Sequence, residues 1–159
     1  MGKIIAFANQ KGGVGKSTSV VNIAASLGVL GKRVLVVDVD PQGNTTSGFG
    51  ISKKSSAGTV YDVLIGRSDA ADAVQKTEFE NISVIPANIS LAGAEFELVM
   101  ADNRESRLKT ALEPIADRYD YILIDSPAGL GAGFQFAICA ADRALVVATN
   151  DATSLRDAQ

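Results

Sequence analysis

Short runs of apolar residues alternate along the chain with longer stretches whose apolar positions recur at helical spacing. Ile4-Ile5-Ala6-Phe7-Ala8 is continuous rather than alternating, which predicts a strand buried on both faces. Gly12, Gly13 and Gly15 predict a tight turn. Residues 16–30 then predict a helix, with Val20, Val21, Ile23, Ala24, Leu27 and Leu30 apolar and Gly31 as its C-cap. RVLVVD (33–38) reads as a second buried strand. Strand, glycine turn, helix and strand make a βαβ unit, whose crossover in a parallel sheet is right-handed.

Residues 41–58 are rich in Gly, Ser, Thr and Lys and read as a loop. Beyond it the pattern predicts a short helix over 59–65, a strand over 82–86 and helices over 91–100 and 104–112. Pro114 disturbs the last of these, since it cannot donate an interior helix bond. A strand at YILID (121–125), a helix over 134–141 and a strand over 144–148 follow. Thr153 or Ser154 suits the N-cap of one more helix, of which the sequence holds little more than a turn before Gln159. The expectation is therefore a single α/β domain over 1–159, incomplete at its C-terminus: a mostly parallel sheet flanked by helices on both faces.

Composition narrows the chemistry. The 159 residues are 47% hydrophobic and 21% charged, which excludes a disordered chain. One cysteine excludes a disulfide framework and a single-chain thiolate metal centre; with no histidine, Ser-His-Asp catalysis and His-ligated metals are excluded as well. No stretch approaches a membrane span or a signal peptide, so the expected location is cytoplasmic. The net charge of −3 is unevenly spread. Residues 1–54 hold seven basic side chains against Asp38 and Asp40 alone, so an anionic ligand belongs in the N-terminal third.

There, QKGGVGKST (10–18) lies between a predicted strand and a predicted helix, the setting a phosphate-binding loop requires. Glycines let backbone N–H groups converge where a Cβ would meet phosphate. The helix start adds unpaired N–H groups and partial positive charge. Lys16 supplies a full charge for β- and γ-phosphates, and the Ser17 hydroxyl can ligate Mg²⁺. The strict pattern wants glycine where Gln10 stands; in its place a second lysine, Lys11, precedes Gly12-Gly13. Asp38, Asp40 and Asp125 each fall at the end of a predicted strand, where open α/β sheets bind ligands. Cys139, inside FAICAA, reads as a small core residue, and Lys53-Lys54 as a solvated pair.

KGGVGKST resembles the deviant Walker A motif of the ParA/MinD family of P-loop ATPases. The resemblance continues in VLVVDVDPQGNTT (34–46), NISVIPANISLAGAE (81–95) and DRYDYILIDSPAGLG (117–131) and covers essentially the whole chain. DPQGNTT and ANISLAGAE look like the DNA-partitioning ParA branch, whereas residues 125–158 are closer to MinD, the division-site branch. The resemblance implies a P-loop NTPase fold with ATP and Mg²⁺ as cofactors. It gives Lys11 the role of reaching the partner's nucleotide across an ATP-bound homodimer. It gives Gly12, Gly13, Val14, Gly15, Lys16, Ser17 and Thr18 the phosphate cradle, and Asp40 the orientation of the attacking water. Asp125 would hold Mg²⁺ through water, with Asp38 a further candidate, and Ser126-Pro127-Ala128-Gly129 would form the second switch.

The function implied is an ATP-hydrolysing dimerisation switch for chromosome or plasmid partitioning. A ParB-like activator and, in the full-length form, nonspecific DNA would be its partners, with nucleoid association. The alternative is a MinD-like ATPase cycling on a membrane, which needs a C-terminal amphipathic helix. A cluster-carrying relative such as the nitrogenase iron protein needs more cysteine than Cys139 supplies. The related bacterial tyrosine kinases carry a terminal tyrosine cluster, whereas Tyr61, Tyr119 and Tyr121 are internal.

Overall fold

A computed structural model describes residues 2–54, 58–157 and 159. The apolar runs at 4–8, 34–38, 82–85 and 121–125 are strands with both faces largely covered, whereas the run at 143–146 is a strand exposed along its length. β1 (Lys3–Ala8), β2 (Val34–Asp38), β3 (Gln75–Lys76), β4 (Ile82–Ile85), β5 (Tyr121–Asp125) and β6 (Arg143–Val146) form one sheet in the order β3-β4-β2-β5-β1-β6. All pairings are parallel except β3 with β4. Successive residues point to opposite faces, and the core divides accordingly. Leu35, Val37, Ile85, Ile122 and Ile124 belong to one buried cluster, and Val34, Val36, Ile82, Val84 and Leu123 to the other.

α1 (Lys16–Val29) covers the second cluster through Val20 and Ala24. Its end is closed by Gly31 at φ 75°: Gly31 N donates to Gly28 O and Lys32 N to Leu27 O, so the last turn's carbonyls are satisfied. The other face is covered by α3 (Val60–Leu64), α4 (Ala70–Ala73), α6 (Arg107–Leu112) and α7 (Ala132–Ala140), which contribute Val60, Leu64, Ala73, Leu108, Leu112, Phe136 and Ala137. Helices on both faces of a mostly parallel sheet are the architecture expected.

Several local expectations change. The stretch read as a loop contains α2 (Asn44–Gly48), with Thr45 and Thr46 buried; residues 55–57 of it lie outside those described. The helix expected over 91–100 is a 3₁₀ turn at Ile89–Gly93 followed by α5 (Ala94–Glu97). Pro114 acts as expected: α6 ends at Leu112, two residues before it, and the chain continues as a 3₁₀ segment, Glu113–Arg118, with Pro114 in its first turn. β3 had no pattern to announce it, being two residues long. The last helix, α8 (Ala152–Asp157), begins after Asp151, so Thr153 lies inside it rather than capping it; the Ser154 side chain lies outside those described. Cys139 is exposed rather than in the core, because α7 presents Phe136, Ala137 and Ala140 to the sheet and turns Cys139 away.

Candidate phosphate-binding site

The parallel arrangement brings the carboxyl ends of β1, β2 and β5 to one edge of the sheet. In register, Asp125 on β5 lies beside Phe7 on β1 and Asp38 on β2. The chain leaves β1 through Asn9, whose Oδ1 accepts from Lys11 N at 2.9 Å and whose Nδ2 donates to Val147 O at 2.6 Å. That side chain fixes the start of the glycine-rich loop.

Gly13 (φ 73°) and Gly15 (φ 92°) then take left-handed conformations that only glycine adopts readily, which turns successive N–H groups to one side. Gly15 is the N-cap of α1. No side chain caps this helix and no acidic residue stands in its first turn, so its N-terminal donors and positive end are left for an external anion. Lys16 is buried, unusual for a lysine, with Nζ 3.4 Å from Lys11 O.

Gly12, Gly13, Gly15, Lys16, Ser17, Thr18 and Asp40 line one crevice of about 300 Å³, together with Asn44 and Ala128. Seven expected site residues thus meet in one place. Lys11 is exposed and outside that lining, Val14 is buried, and Asp38 and Asp125 are fully buried. A larger hollow of about 680 Å³ opens beside Leu64, Asp69, Arg107 and Ile115. None of its lining comes from the glycine-rich loop or from the carboxyl end of a strand, so the phosphate chemistry belongs to the smaller crevice.

Hydroxyl groups serve both buried carboxylates. Ser17 Oγ donates to Asp125 Oδ2 at 2.6 Å and Thr45 Oγ1 to the same oxygen at 2.7 Å. Asp125 Oδ1 is buried without a hydrogen-bond partner among the described residues. Asp38 Oδ2 accepts from Thr46 N (2.8 Å) and Thr46 Oγ1 (2.7 Å), and its Oδ1 from Asp40 N (3.1 Å). Thr46 Oγ1 in turn accepts from Ala87 N at 3.0 Å. Asp38 therefore anchors the segment that carries Asp40 across the end of the sheet. Asp40 Oδ1 accepts from Gln42 N at 2.9 Å, and a turn with Gly43 at φ 62° leads into α2.

Burial pushes Asp38 up to about 7, against the pull of its Thr46 hydrogen bonds and reinforced by Asp125 alongside. Burial also raises Asp125, opposed by Ser17 and Thr45. In the metal-free chain this has a definite sign. Between its ordinary 3.8 and about 7, folded Asp38 keeps a proton that the unfolded side chain has released, so stability falls as pH rises through that window. Asp125 acts in the same direction. Asp120, held near 2 by Arg33, acts oppositely, but its contribution is lost only as pH falls below about 4. The urea midpoint is therefore expected to fall from pH ~4 to pH ~7, with a shallower slope in Asp38→Asn; equal slopes would refute this.

Asn44, Thr45 and Thr46 did not stand out as individual site residues, whereas Ala128 was expected in the second switch and lines the crevice. The three lie inside the family-like block 34–46, in a stretch whose composition reads as loop, and only the fold shows the two hydroxyls turned onto strand carboxylates.

A glycine-rich phosphate cradle joining a central parallel strand to a helix, with a carboxylate at the end of the neighbouring strand, defines a P-loop nucleotide-binding fold. A family model described as an AAA domain matches residues 2–158, and the chain belongs to that family. It is 54% identical over 146 residues to the sporulation initiation inhibitor protein Soj of Bacillus subtilis, covering 92% of this chain and 58% of that protein. It is 48% identical to the chromosome partitioning protein ParA of Myxococcus xanthus, covering 92% of this chain and 52% of that one. The chain thus spans a little over half the length of these relatives. A crystal structure of cobyrinic acid a,c-diamide synthase from Mycobacterium smegmatis, with bound ATP analogue and magnesium, superposes with a TM-score of 0.90 at 38% identity. That likeness covers 99% of this chain and 67% of the other. The resemblance to ParA/MinD ATPases is borne out by these relatives.

Proposed function

We propose that the chain binds ATP with Mg²⁺ at the Gly12–Thr18 loop and hydrolyses it as a dimerising switch of the ParA type, acting in chromosome or plasmid partitioning. The observation that carries this is one crevice in which the uncapped start of α1, two left-handed glycines and Lys16 face Asp40. The names of the nearer sequence relatives support the partitioning role, since one fold serves several activities.

The residues present fit a hydrated magnesium ion. Asp125 Oδ1 is a buried acceptor with no partner among the described residues, and Ser17 stands beside the same carboxylate. One hydroxyl plus one carboxylate acting through water is the sparse donor set that Mg²⁺ takes when phosphates complete its shell. Bound there, the ion would neutralise charge on the β- and γ-phosphates.

The chain's own groups would do the rest. Loop N–H groups and Lys16 hold the phosphates, which fixes the γ-phosphoryl for in-line attack. Asp40, on the crevice wall, orients the attacking water. Exposed Lys11 reaches a second copy's nucleotide and supplies in trans the charge an arginine finger supplies elsewhere. Ser126-Pro127-Ala128-Gly129 respond to the γ-phosphate; Ser126 Oγ donates to Phe7 O at 2.7 Å, Ala128 lines the crevice and Gly129 N donates to Gln10 O at 2.8 Å. A ParB-like activator, nonspecific DNA, and a cytoplasmic, nucleoid-associated location complete this reading.

The likeness of residues 125–158 to MinD favours a second reading, a membrane-cycling ATPase. Among the described residues no helix is long and apolar enough to cross a membrane, so such cycling would need an interfacial anchor. Retention of the ATP-bound protein on duplex DNA, compared with anionic liposomes, separates the two. The partitioning reading expects salt-sensitive retention on DNA, and retention on liposomes alone would overturn it.

A further inference from the structure

Asp125 is held from two sides by groups of different standing. Ser17 belongs to the phosphate-binding loop and, on the reading above, its oxygen also faces the cation. Thr45 Oγ1, 2.7 Å from Asp125 Oδ2, has no such second duty. It lies on α2, fully buried, 80 residues away in sequence. A buried carboxylate has several acceptor sites and can turn about its last bond. With Oδ2 occupied by two hydroxyl donors, Oδ1 is the oxygen left to accept from a ligand, and it is the one found buried without a partner among the described residues. The neighbouring Thr46 binds Asp38 in the same manner, so α2 is fastened to β2 and β5 by consecutive hydroxyls. Between those strands and the crevice, the same short segment carries Asn44 and follows Asp40.

We infer that Thr45 is a positioning residue for the metal–nucleotide site: its hydroxyl fixes the Asp125 carboxylate so that Oδ1 alone receives the hydrated cation, and ties the Asp40–Asn44 segment to that carboxylate. The inference rests on the proposed Mg²⁺-dependent nucleotide binding. It is a role outside the phosphate loop, filled by a residue whose surroundings in the sequence read as an unstructured linker. Partners that orient a metal's direct ligands typically alter metal affinity by about 10–100-fold when removed, and a hydroxyl acting through a carboxylate that meets the ion by way of water belongs at the low end of that range.

The test is ATP binding by titration calorimetry at a series of Mg²⁺ concentrations, without turnover. Thr45→Val keeps the shape and removes the donor; Thr45→Ser keeps the donor. The Mg²⁺ concentration that half-restores tight ATP binding is expected to rise about tenfold or more in Thr45→Val. In Thr45→Ser it should stay at the wild-type value, and ATP affinity without metal should be the same in all three. Should the valine variant not unfold cooperatively, Thr45→Ala, which adds no methyl group against the carboxylate, carries the same expectation. Wild-type Mg²⁺ dependence in Thr45→Val or Thr45→Ala overturns the inference while leaving the proposed function intact. No Mg²⁺ dependence in the wild-type chain overturns both.

Discussion

Lys11→Ala is expected to leave ATP binding by the single chain near its wild-type strength while lowering turnover about a thousandfold or more. The expectation follows from where the two lysines lie. Lys16 is buried under the loop and lines the crevice, whereas Lys11 is exposed and its side chain is no part of that lining. What Lys11 gives its own site is a backbone carbonyl, which accepts from Lys16 Nζ, and alanine keeps that carbonyl. Its charge is therefore available to a second copy, where a cation placed on the transferring phosphoryl group contributes about 10³–10⁵ in rate. Single-turnover measurements at saturating ATP, beside calorimetric titration of the same variant, check this. Equal loss of binding and turnover would mean that Lys11 acts within its own chain.

Asp40→Ala should fail at a different step. Its carboxylate lines the crevice and accepts from Gln42 N, so it is positioned by its own turn before any ligand arrives. Removing a group that orients or deprotonates the attacking water slows turnover by about 10²–10⁴ while leaving phosphate binding in place. On the proposed dimerising cycle, in which closure would precede hydrolysis, an ATP-bound dimer should then accumulate. Sedimentation velocity with ATP separates the two variants: Asp40→Ala is expected mainly dimeric, with turnover reduced on that scale. A monomeric Asp40→Ala, or one with unchanged turnover, would contradict the role.

The central strands were legible because they are buried on both faces, which makes VLVVD and YILID apolar without alternation and leaves the terminal aspartate as their one charged position. The crevice was legible because glycine spacing and Lys16-Ser17 carry their own geometry. Other features depend on partners far along the chain. α2 has too few residues for helical propensity to sustain it; two threonines bonded to strand carboxylates hold it, and no local pattern announces such bonds. Cys139 illustrates the converse. An apolar stretch in a helix that covers one face of a sheet need not be buried all round, and Cys139 lies on the far side. Asp38 and Asp125 fell at matching strand ends, with Asp38 a further candidate beside Asp125 for the metal. In the fold Asp38 has both oxygens engaged with Thr46 and the Asp40 backbone, while Asp125 keeps one without a partner among the described residues.

The most direct test of the phosphate site is calorimetric titration of ATP with Mg²⁺ into the chain and into Lys16→Ala. Saturable one-to-one binding by the wild-type chain, reduced at least a hundredfold in a Lys16→Ala variant that still unfolds cooperatively, is the expected result, since a charged hydrogen bond and the Coulomb attraction of a buried ammonium are lost together. Equal ATP binding by both proteins, or none by the wild type, would contradict it.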